Sequence, residues 1–199
     1  MDSLENAPQQ RSNRVVWLIL AICVLPVIAS TALYLFWRPN SFVNHGELLE
    51  PALLHEVAFK RANGPPFSFS EISGQWAFVS LDSGSCGEFC ERKLYLMRQI
   101  RLTQGKDSDR IERVWLITDG TPPPASVLAR YEGTKAIILA NDADLAVFPA
   151  ETRASDYIFV VDPLGNLMMR YPPDVDPSKI KKDISKLLRL SSGWRRLEN

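Results

Sequence analysis

Two cysteines, Cys86 and Cys90, are the residues of this sequence best suited to chemistry. They stand in the stretch DSGSCGEFCERK, between a run that predicts a strand and a run that predicts a helix. At this spacing on a first helical turn their Cβ atoms would be roughly 5–6 Å apart. A modest change in the loop would bring them to the about 3.5–4.5 Å of a disulfide. The same two sulfur atoms also suit a soft metal ion such as Cu(I).

The position of the pair favours thiol reactivity. A helix N-terminus presents free N–H groups and partial positive charge, which stabilise thiolate over thiol, although Glu88 and Glu91 oppose this effect. Cys86, on the loop side, is the predicted attacking thiol, and Cys90, inside the helix, is the predicted resolving thiol. The alternatives without chemistry are an inert staple or two buried core residues.

An uncharged apolar run extends from Val15 to Trp37. As a helix it would cover ~35 Å, slightly more than the ~30 Å hydrocarbon core of a bilayer. Trp17 near one end and Tyr34 near the other match the aromatic belts of membrane spans. A cleaved signal peptide has an apolar region of only ~7–15 residues. We therefore predict a transmembrane anchor over residues 15–37 that contacts membrane lipid.

Charges flanking the anchor predict its orientation. Arg11 and Arg14 precede it and Arg38 follows it, which favours a cytoplasmic N-terminal segment over residues 1–14. The remainder then lies outside the cytoplasm, on a plasma or inner membrane, and in the periplasm if the cell is bacterial. Paired cysteines can be oxidised in such a compartment. Cys23 lies within the span and is interpreted as a packing residue.

Downstream of the anchor, residues 38–66 predict a connecting arm and residues 67–199 a folded domain. The arm contains both histidines, His45 and His55. Strands alternating with helices predict an α/β fold with a mixed sheet flanked by helices, and a cysteine pair after the first core strand is typical of a thioredoxin-like fold. The predicted elements begin with an edge strand in FSFSEISG, a buried strand over 75–81 and a helix to about 103. Strands over 113–118 and 136–140 follow, with a proline-led helix between them. The domain ends with a strand pair in DYIFVVDPLGNLMMRY and a last helix that has Asp176 as its cap and Pro177 at its first position.

Composition and motifs exclude several functions. The formal net charge is zero, so no basic surface indicates nucleic acid as a partner. Three cysteines and two histidines do not supply a zinc finger. The folded domain contains no histidine to act as the general base of a hydrolase, and the chain has neither a P-loop nor a G-x-G-x-x-G motif.

The order of motifs over residues 67–190 resembles the Sco family of membrane-anchored cytochrome oxidase assembly proteins. The similarity rests on the C-x-x-x-C loop, the strand WLITD, the segment TPPPASVLARYEG, and DYIFVVDPLGNLMMRY with its turn at Asp162, Pro163 and Gly165. A single N-terminal span also fits. The resemblance implies a thioredoxin-like fold and a role in cytochrome oxidase assembly, with an oxidase subunit or another assembly factor as the partner.

Sco proteins bind copper through two cysteines and a histidine, and this sequence departs from that pattern. The resemblance places the histidine at about Ala154, and no histidine follows His55. Cys86 and Cys90 could still hold Cu(I) in a linear, two-coordinate way, whereas Cu(II) would be held poorly. Copper is therefore the one candidate cofactor. The methionines at apolar positions are interpreted as core residues: Met97, Met168 and Met169.

We predict from these features a thiol–disulfide protein that supports oxidase assembly through Cys86 and Cys90. Three residues separate the cysteines where thioredoxin enzymes have two, and Ser155-Asp156 stand where those enzymes have a proline. Both departures favour a dedicated partner over broad oxidoreductase activity, so enzymatic turnover stays open. The alternatives are a Cu(I) metallochaperone that uses the same cysteines and an assembly scaffold that does no chemistry.

Overall fold

The N-terminal helix forms a unit of its own. The computed structural model describes residues 13–36, 44–61, 63–140, 143–149, 153–172 and 174–193. Helix α1, Asn13–Phe36, is the one helix in these ranges whose length and composition suit a membrane span. Its side chains from Val15 to Leu20 are all exposed, which is the expected state of a lipid-facing helix outside a membrane. Trp37, the predicted end of the anchor, lies outside the described residues.

A second compact unit begins at Asn44 and contains the folded domain. Its helices and strands, in chain order, are β1 (Glu47–Leu53), β2 (Trp76–Asp82), α2 (Glu88–Leu102), β3 (Ile111–Ile117), α3 (Ala125–Arg130), β4 (Lys135–Ile138), β5 (Ile158–Val161), β6 (Asn166–Tyr171) and α4 (Pro177–Leu190). Helix α4 begins as predicted, because the Asp176 side chain accepts a hydrogen bond from the Ser178 N–H and Pro177 occupies the first turn.

The strands form one mixed sheet in the order β1-β6-β5-β2-β3-β4. Strands β2, β3 and β4 are parallel, while β5 and β6 form the antiparallel hairpin predicted from the DPLGN turn. All seven residues of β2 are buried, as expected for a central strand covered on both faces. The predicted mixed α/β sheet is therefore confirmed.

Side chains of β2 alternate between two cores. Trp76 and Phe78 point to the face that is covered by α2, α3 and α4, and Ala77 and Val79 point to the opposite face. The first core also contains Cys86 and Cys90. The opposite core is rich in aromatic side chains from the connecting segments: Phe59, Phe67, Phe69 and Phe148.

The predicted edge strand in FSFSEISG is wrong. Residues Phe69–Ile72 form a short 3₁₀ helix instead, because Ser68 and Glu71 make reciprocal capping bonds at its start. Phe69 and Ile72, three positions apart, then reach the core together. The alternating pattern suggested a strand, but the local capping chemistry decided the structure.

The segment predicted as a connecting arm supplies an edge strand that the sequence analysis did not foresee. Strand β1 pairs antiparallel with β6, with an irregular register between Leu48 and Ala52. Most of its side chains are exposed, and it contains Pro51, which an edge strand tolerates since one side of its backbone needs no partner. These features conceal the alternation by which a strand is usually recognised.

Candidate functional site

The cysteine pair closes the gap between the end of β2 and the start of α2. Cys86 and Cys90 form a disulfide, with their Cα atoms 5.1 Å apart. Only Cys90 lies in the helix, because α2 begins at Glu88 with Gly87 as its N-cap. Cys86 adopts a left-handed backbone conformation, with φ of 46°, and this turn of the loop brings the sulfurs within bonding distance. The predicted placement of both cysteines on the first helical turn therefore needs correction for Cys86.

A neighbouring loop clamps the cysteine loop through Asp119. Its carboxylate accepts hydrogen bonds from the Ser83 hydroxyl at 2.5 Å, the Gly84 N–H at 3.0 Å and the Thr121 N–H at 3.1 Å. These donors, led by the Gly84 N–H and the Ser83 hydroxyl, hold the pKa of Asp119 well below its ordinary range. The two loops touch so closely that a Cβ on Gly84 would lie 1.7 Å from the Thr121 carbonyl oxygen.

Both sulfur-bearing side chains are recessed. Cys86 is 5% exposed and Cys90 is 4% exposed, and both belong to the core beneath α2. Access of a partner to the two sulfur atoms is therefore small in the disulfide-bonded state. Phe89, between the two cysteines, is 40% exposed and presents an apolar surface beside the bridge.

An ion pair lies buried beside the disulfide. Lys93, one helical turn after Cys90, places its Nζ 2.8 Å from the Asp82 carboxylate at the end of β2. Burial raises the pKa of Asp82 from its ordinary 3.8 to about 6, although the charge of Lys93 opposes the shift, and burial also lowers the pKa of Lys93. This buried ion pair was not predicted from the sequence. The sequence does contain a signal for it: β2 ends in Asp82, and the helix that follows has Lys93 next to its apolar stripe.

Lys93 also ties the cysteine helix to the segment before β5. Its ammonium group donates to the Ser155 carbonyl oxygen, within the 3₁₀ turn Ala154–Asp156. The segment to which the Sco resemblance assigns the copper-ligand histidine is thus bound to α2 by a backbone contact. The residue at that position, Ala154, carries no ligand atom.

The other soft-ligand candidates serve the fold. Met97 and Met169 are at most 1% exposed and pack in the core that contains the cysteines, and Met168 is partly buried against it. Within the described parts of the chain, no group of three or more His, Cys, Asp or Glu side chains is arranged to hold a metal ion. A reduced Cys86–Cys90 pair would offer two thiolates, which fits two-coordinate Cu(I) and no higher coordination.

The contacts of the two histidines involve other parts of the domain. His45 is exposed, and its backbone N–H donates to the buried Asp183 carboxylate at 2.7 Å, as does the N–H of Gly46 at 2.9 Å. His55 packs against Gly165 in the turn between β5 and β6. That turn lies at the start of β2, whereas the cysteine loop follows its end. The fold therefore does not bring His55 to the cysteines.

The cysteine loop between a buried strand and a helix, on a mixed sheet, defines a thioredoxin-like protein. The chain belongs to the family described as transmembrane-like, thioredoxin-like, C-terminal domain, whose model matches residues 76–191. The predicted thioredoxin-like fold class is thereby confirmed. A sequence search of curated proteins gives no match.

Solved structures with the same fold include three Sco proteins. Yeast Sco1 with copper bound has a TM-score of 0.55 and 14% identity, over 71% of this chain and 95% of that chain. Apo Sco1 from Thermus thermophilus has a TM-score of 0.52 and 17% identity, over 75% and 97%. BsSco, in which a disulfide switch was identified, has a TM-score of 0.50 and 10% identity, over 74% and 96%. The resemblance to Sco proteins is confirmed for the fold.

Proposed function

We propose that this chain is a membrane-anchored, extracytoplasmic thiol–disulfide protein that supports cytochrome c oxidase assembly. The observation that carries the proposal is the Cys86–Cys90 disulfide between β2 and α2. The similar protein BsSco is described as a member of the Sco family of cytochrome c oxidase assembly proteins with a disulfide switch. Helix α1 supports anchoring, because its length and composition suit a single membrane span.

The proposed reaction is a two-electron exchange with a partner disulfide. In the reduced protein the Cys86 thiolate attacks one partner sulfur, forming a mixed disulfide and releasing the other partner sulfur as a thiolate. The Cys90 thiolate then attacks the Cys86 sulfur, which forms the Cys86–Cys90 bridge and releases the second partner thiolate. The partner gains two electrons, and the described disulfide is the product state. A thiol reductant of the same compartment reopens the bridge for another cycle.

The local structure supports different parts for the two cysteines in this reaction. Cys86 precedes the helix in a loop with a left-handed backbone, so a partner can approach it when the loop opens. Cys90 is held in the first turn of α2, where free N–H groups stabilise a thiolate. Exposed Phe89 offers the partner an apolar contact beside the bridge.

Trapping variants test this assignment. In membranes that carry a Cys23→Ser background, Cys90→Ser leaves Cys86 free to form a mixed disulfide that nothing resolves. We expect a disulfide-linked partner on non-reducing gels for Cys90→Ser and much less for the matched Cys86→Ser. Equal trapping by both variants, or none by either, would contradict the assigned order of attack.

Oxidase assembly in cells separates chemistry from scaffolding. We expect the double variant Cys86→Ser, Cys90→Ser to restore little cytochrome c oxidase activity to cells that lack this protein, while the wild type restores it fully. Full restoration by the double variant, together with no restoration after deletion of residues 67–199, would instead identify a scaffold without thiol chemistry.

Copper carriage by the same two cysteines is the second candidate. It is favoured by the short distance between Cys86 and Cys90, and by the fold shared with the yeast protein that has copper bound. Copper would here be cargo, held after the bridge is reduced. A Cu(I) competition titration on the reduced full chain, in non-ionic detergent and with Cys23→Ser, distinguishes the candidates. One tight equivalent that is lost in Cys86→Ser would establish carriage, whereas no binding leaves the exchange function.

A further inference from the structure

A strongly basic cavity of about 560 Å³ lies between the last turns of α2, the start of β3 and the turn from α3 to β4. We call it the basic cavity. It is lined by five basic side chains and only two acidic ones. One acid, Glu112, lies 4.0 Å from the ammonium group of Lys135. The basic residues are Arg98, Arg101, Arg113, Arg130 and Lys135.

Arg113 is the unusual member of this set because it is buried. It is 4% exposed, and its neighbours Ile111 and Trp115 on the same side of β3 belong to the core beneath the helices. One guanidinium nitrogen, Nη2, donates to the Glu132 carbonyl oxygen at 2.6 Å. Its Nε and Nη1 are buried, and no acceptor for them exists among the described residues.

The surroundings of Arg113 contain more positive than negative charge. Burial lowers the pKa of Arg113, and the nearby cations Arg101 and Arg98 lower it further, while the carboxylate of Glu112 opposes the shift. The hydroxyl of Thr134, on the cavity wall, is likewise buried without a hydrogen-bond partner in the described chain. A buried cation that is incompletely paired is unfavourable, so an anion bound beside Arg113 would stabilise this arrangement.

We propose that the basic cavity binds a phosphate-bearing anion, with Arg113 as its central ligand. A guanidinium group donates charge-assisted hydrogen bonds to phosphate oxygens. Nη2 of Arg113 lies beside Gly133 on the cavity wall, and it has a second N–H besides the one that donates to Glu132. The volume falls within the ~300–1,000 Å³ of small-molecule sites. Arg98 is exposed at the rim and adds attraction for a multivalent anion, whereas Arg130, also exposed there, is paired with Glu91.

This site is separate from the cysteine pair. Arg113 is level with Phe78 on the parallel strand β2, whereas the cysteine loop follows Asp82, which is level with Ile117. Four strand residues correspond to about 13 Å. The inference therefore does not depend on thiol exchange or on copper carriage.

Isothermal titration of the full chain with pyrophosphate, in non-ionic detergent and at physiological salt, tests the proposal. We expect saturable binding of one equivalent and at least a tenfold weaker dissociation constant for Arg113→Met. The matched control Lys182→Gln, which removes an exposed charge of α4 outside the cavity, should bind as the wild type does. No saturable binding, or equal binding by Arg113→Met, would overturn the proposal.

Thermal unfolding distinguishes anion binding by Arg113 from a contribution of this residue to the stability of the fold. Without ligand, Arg113→Met should unfold at or above the wild-type temperature, and pyrophosphate should raise the unfolding temperature of the wild type only. If Arg113→Met fails to fold, Arg98→Gln at the rim gives an independent test, with an expected several-fold weaker dissociation constant. Unchanged binding by this rim variant would count against the site.

Competition distinguishes a free phosphate compound from a lipid headgroup. The titration is repeated in mixed micelles that contain phosphatidylglycerol, with phosphatidylcholine as the zwitterionic control. Loss of pyrophosphate binding with phosphatidylglycerol alone identifies a lipid headgroup as the source of the phosphate. Unchanged binding in both micelles identifies a free ligand, and equal loss in both would contradict recognition of an anion.

Discussion

Two buried cations on the same face of the sheet, Lys93 and Arg113, have opposite surroundings. Each is 4% exposed. Lys93 forms an ion pair with Asp82 at 2.8 Å and donates to the carbonyl oxygens of Ser155 and Leu81. Arg113 donates to the carbonyl oxygen of Glu132, and its Nε and Nη1 have no acceptor among the described residues. A buried charge with a full set of partners serves the fold, whereas Arg113, which is incompletely paired and lines the basic cavity, can also contact a bound anion as proposed.

The strongest test of this comparison replaces each cation with methionine. Lys93→Met leaves the Asp82 carboxylate buried without its ion-pair partner. We therefore expect a loss of about 3–5 kcal/mol in the free energy of unfolding. Arg113→Met leaves no buried charge without its partner, and we expect the free energy of unfolding to change by no more than about 1 kcal/mol. Urea unfolding of the full chain in detergent measures both. Equal losses would mean that Arg113 stabilises the fold as Lys93 does.

A pH series sharpens the contrast through Asp82. Its pKa is about 6 in the folded protein against an ordinary 3.8, so between these values the folded state binds more protons than the unfolded state. The contribution of this group is therefore most favourable below about pH 3.8 and is lost as the pH rises to about 6. Relative to Asp82→Asn, we expect wild-type stability to fall by about 3 kcal/mol over this window.

Urea unfolding at several pH values between 2 and 7 provides the readout for both proteins. Asp119→Asn is an informative companion because the pKa of Asp119 is lowered. Its stabilising contribution is complete above the ordinary pKa and is lost only on further acidification, which is the opposite sign. Parallel pH profiles for wild type and Asp82→Asn would refute the assigned shift.

Two glycines of the cysteine loop form a matched pair for the packing of that loop. A Cβ on Gly84 would lie 1.7 Å from the Thr121 carbonyl oxygen, whereas a Cβ on Gly87 meets no atom within 4 Å. We expect Gly84→Ala to lower the free energy of unfolding by about 2–3 kcal/mol and Gly87→Ala by less than about 1 kcal/mol. Similar values for the two variants would show that the loop can move away from Thr121.

The smallest predicted effect concerns the Asp119 clamp. Asp119→Ala removes acceptors for the Ser83 hydroxyl and the Gly84 N–H, so we expect a loss of about 1 kcal/mol in stability. The loosened loop should also expose the bridge, giving several-fold faster reduction of Cys86–Cys90 by dithiothreitol. Glu50→Ala, at an exposed position of β1, is the control. An unchanged reduction rate would show that Asp119 does not restrict access to the sulfurs.

Local patterns predicted much of the fold. The apolar run of β2, the turn at Asp162 and the Asp176 cap each depend on neighbours in the sequence, and each was interpreted correctly. The capping pair Ser68 and Glu71 was equally local, but the apolar alternation around it misled the interpretation.

Pairings between distant residues were not predictable in this way. Asp183 accepts hydrogen bonds from the backbone of His45 and Gly46, which lie far before it in the sequence. The cysteine pair was predicted because both members fall within one short motif. Arg113 was not, since only the packing of α2 and α3 over β3 shows that its charge is buried and poorly paired.

The edges of the sheet have a consequence for encounters between copies of this domain. On one side β1 presents Pro51, which has no N–H to donate, and an irregular register that interrupts the pairing. On the other side, beyond β4, Leu139 is bridged by Arg61. Neither edge offers a long, regular ladder to which a strand of another molecule could add. Copies of the domain can therefore collide without joining their sheets into aggregates, even at the high local density that the proposed anchoring through α1 would produce.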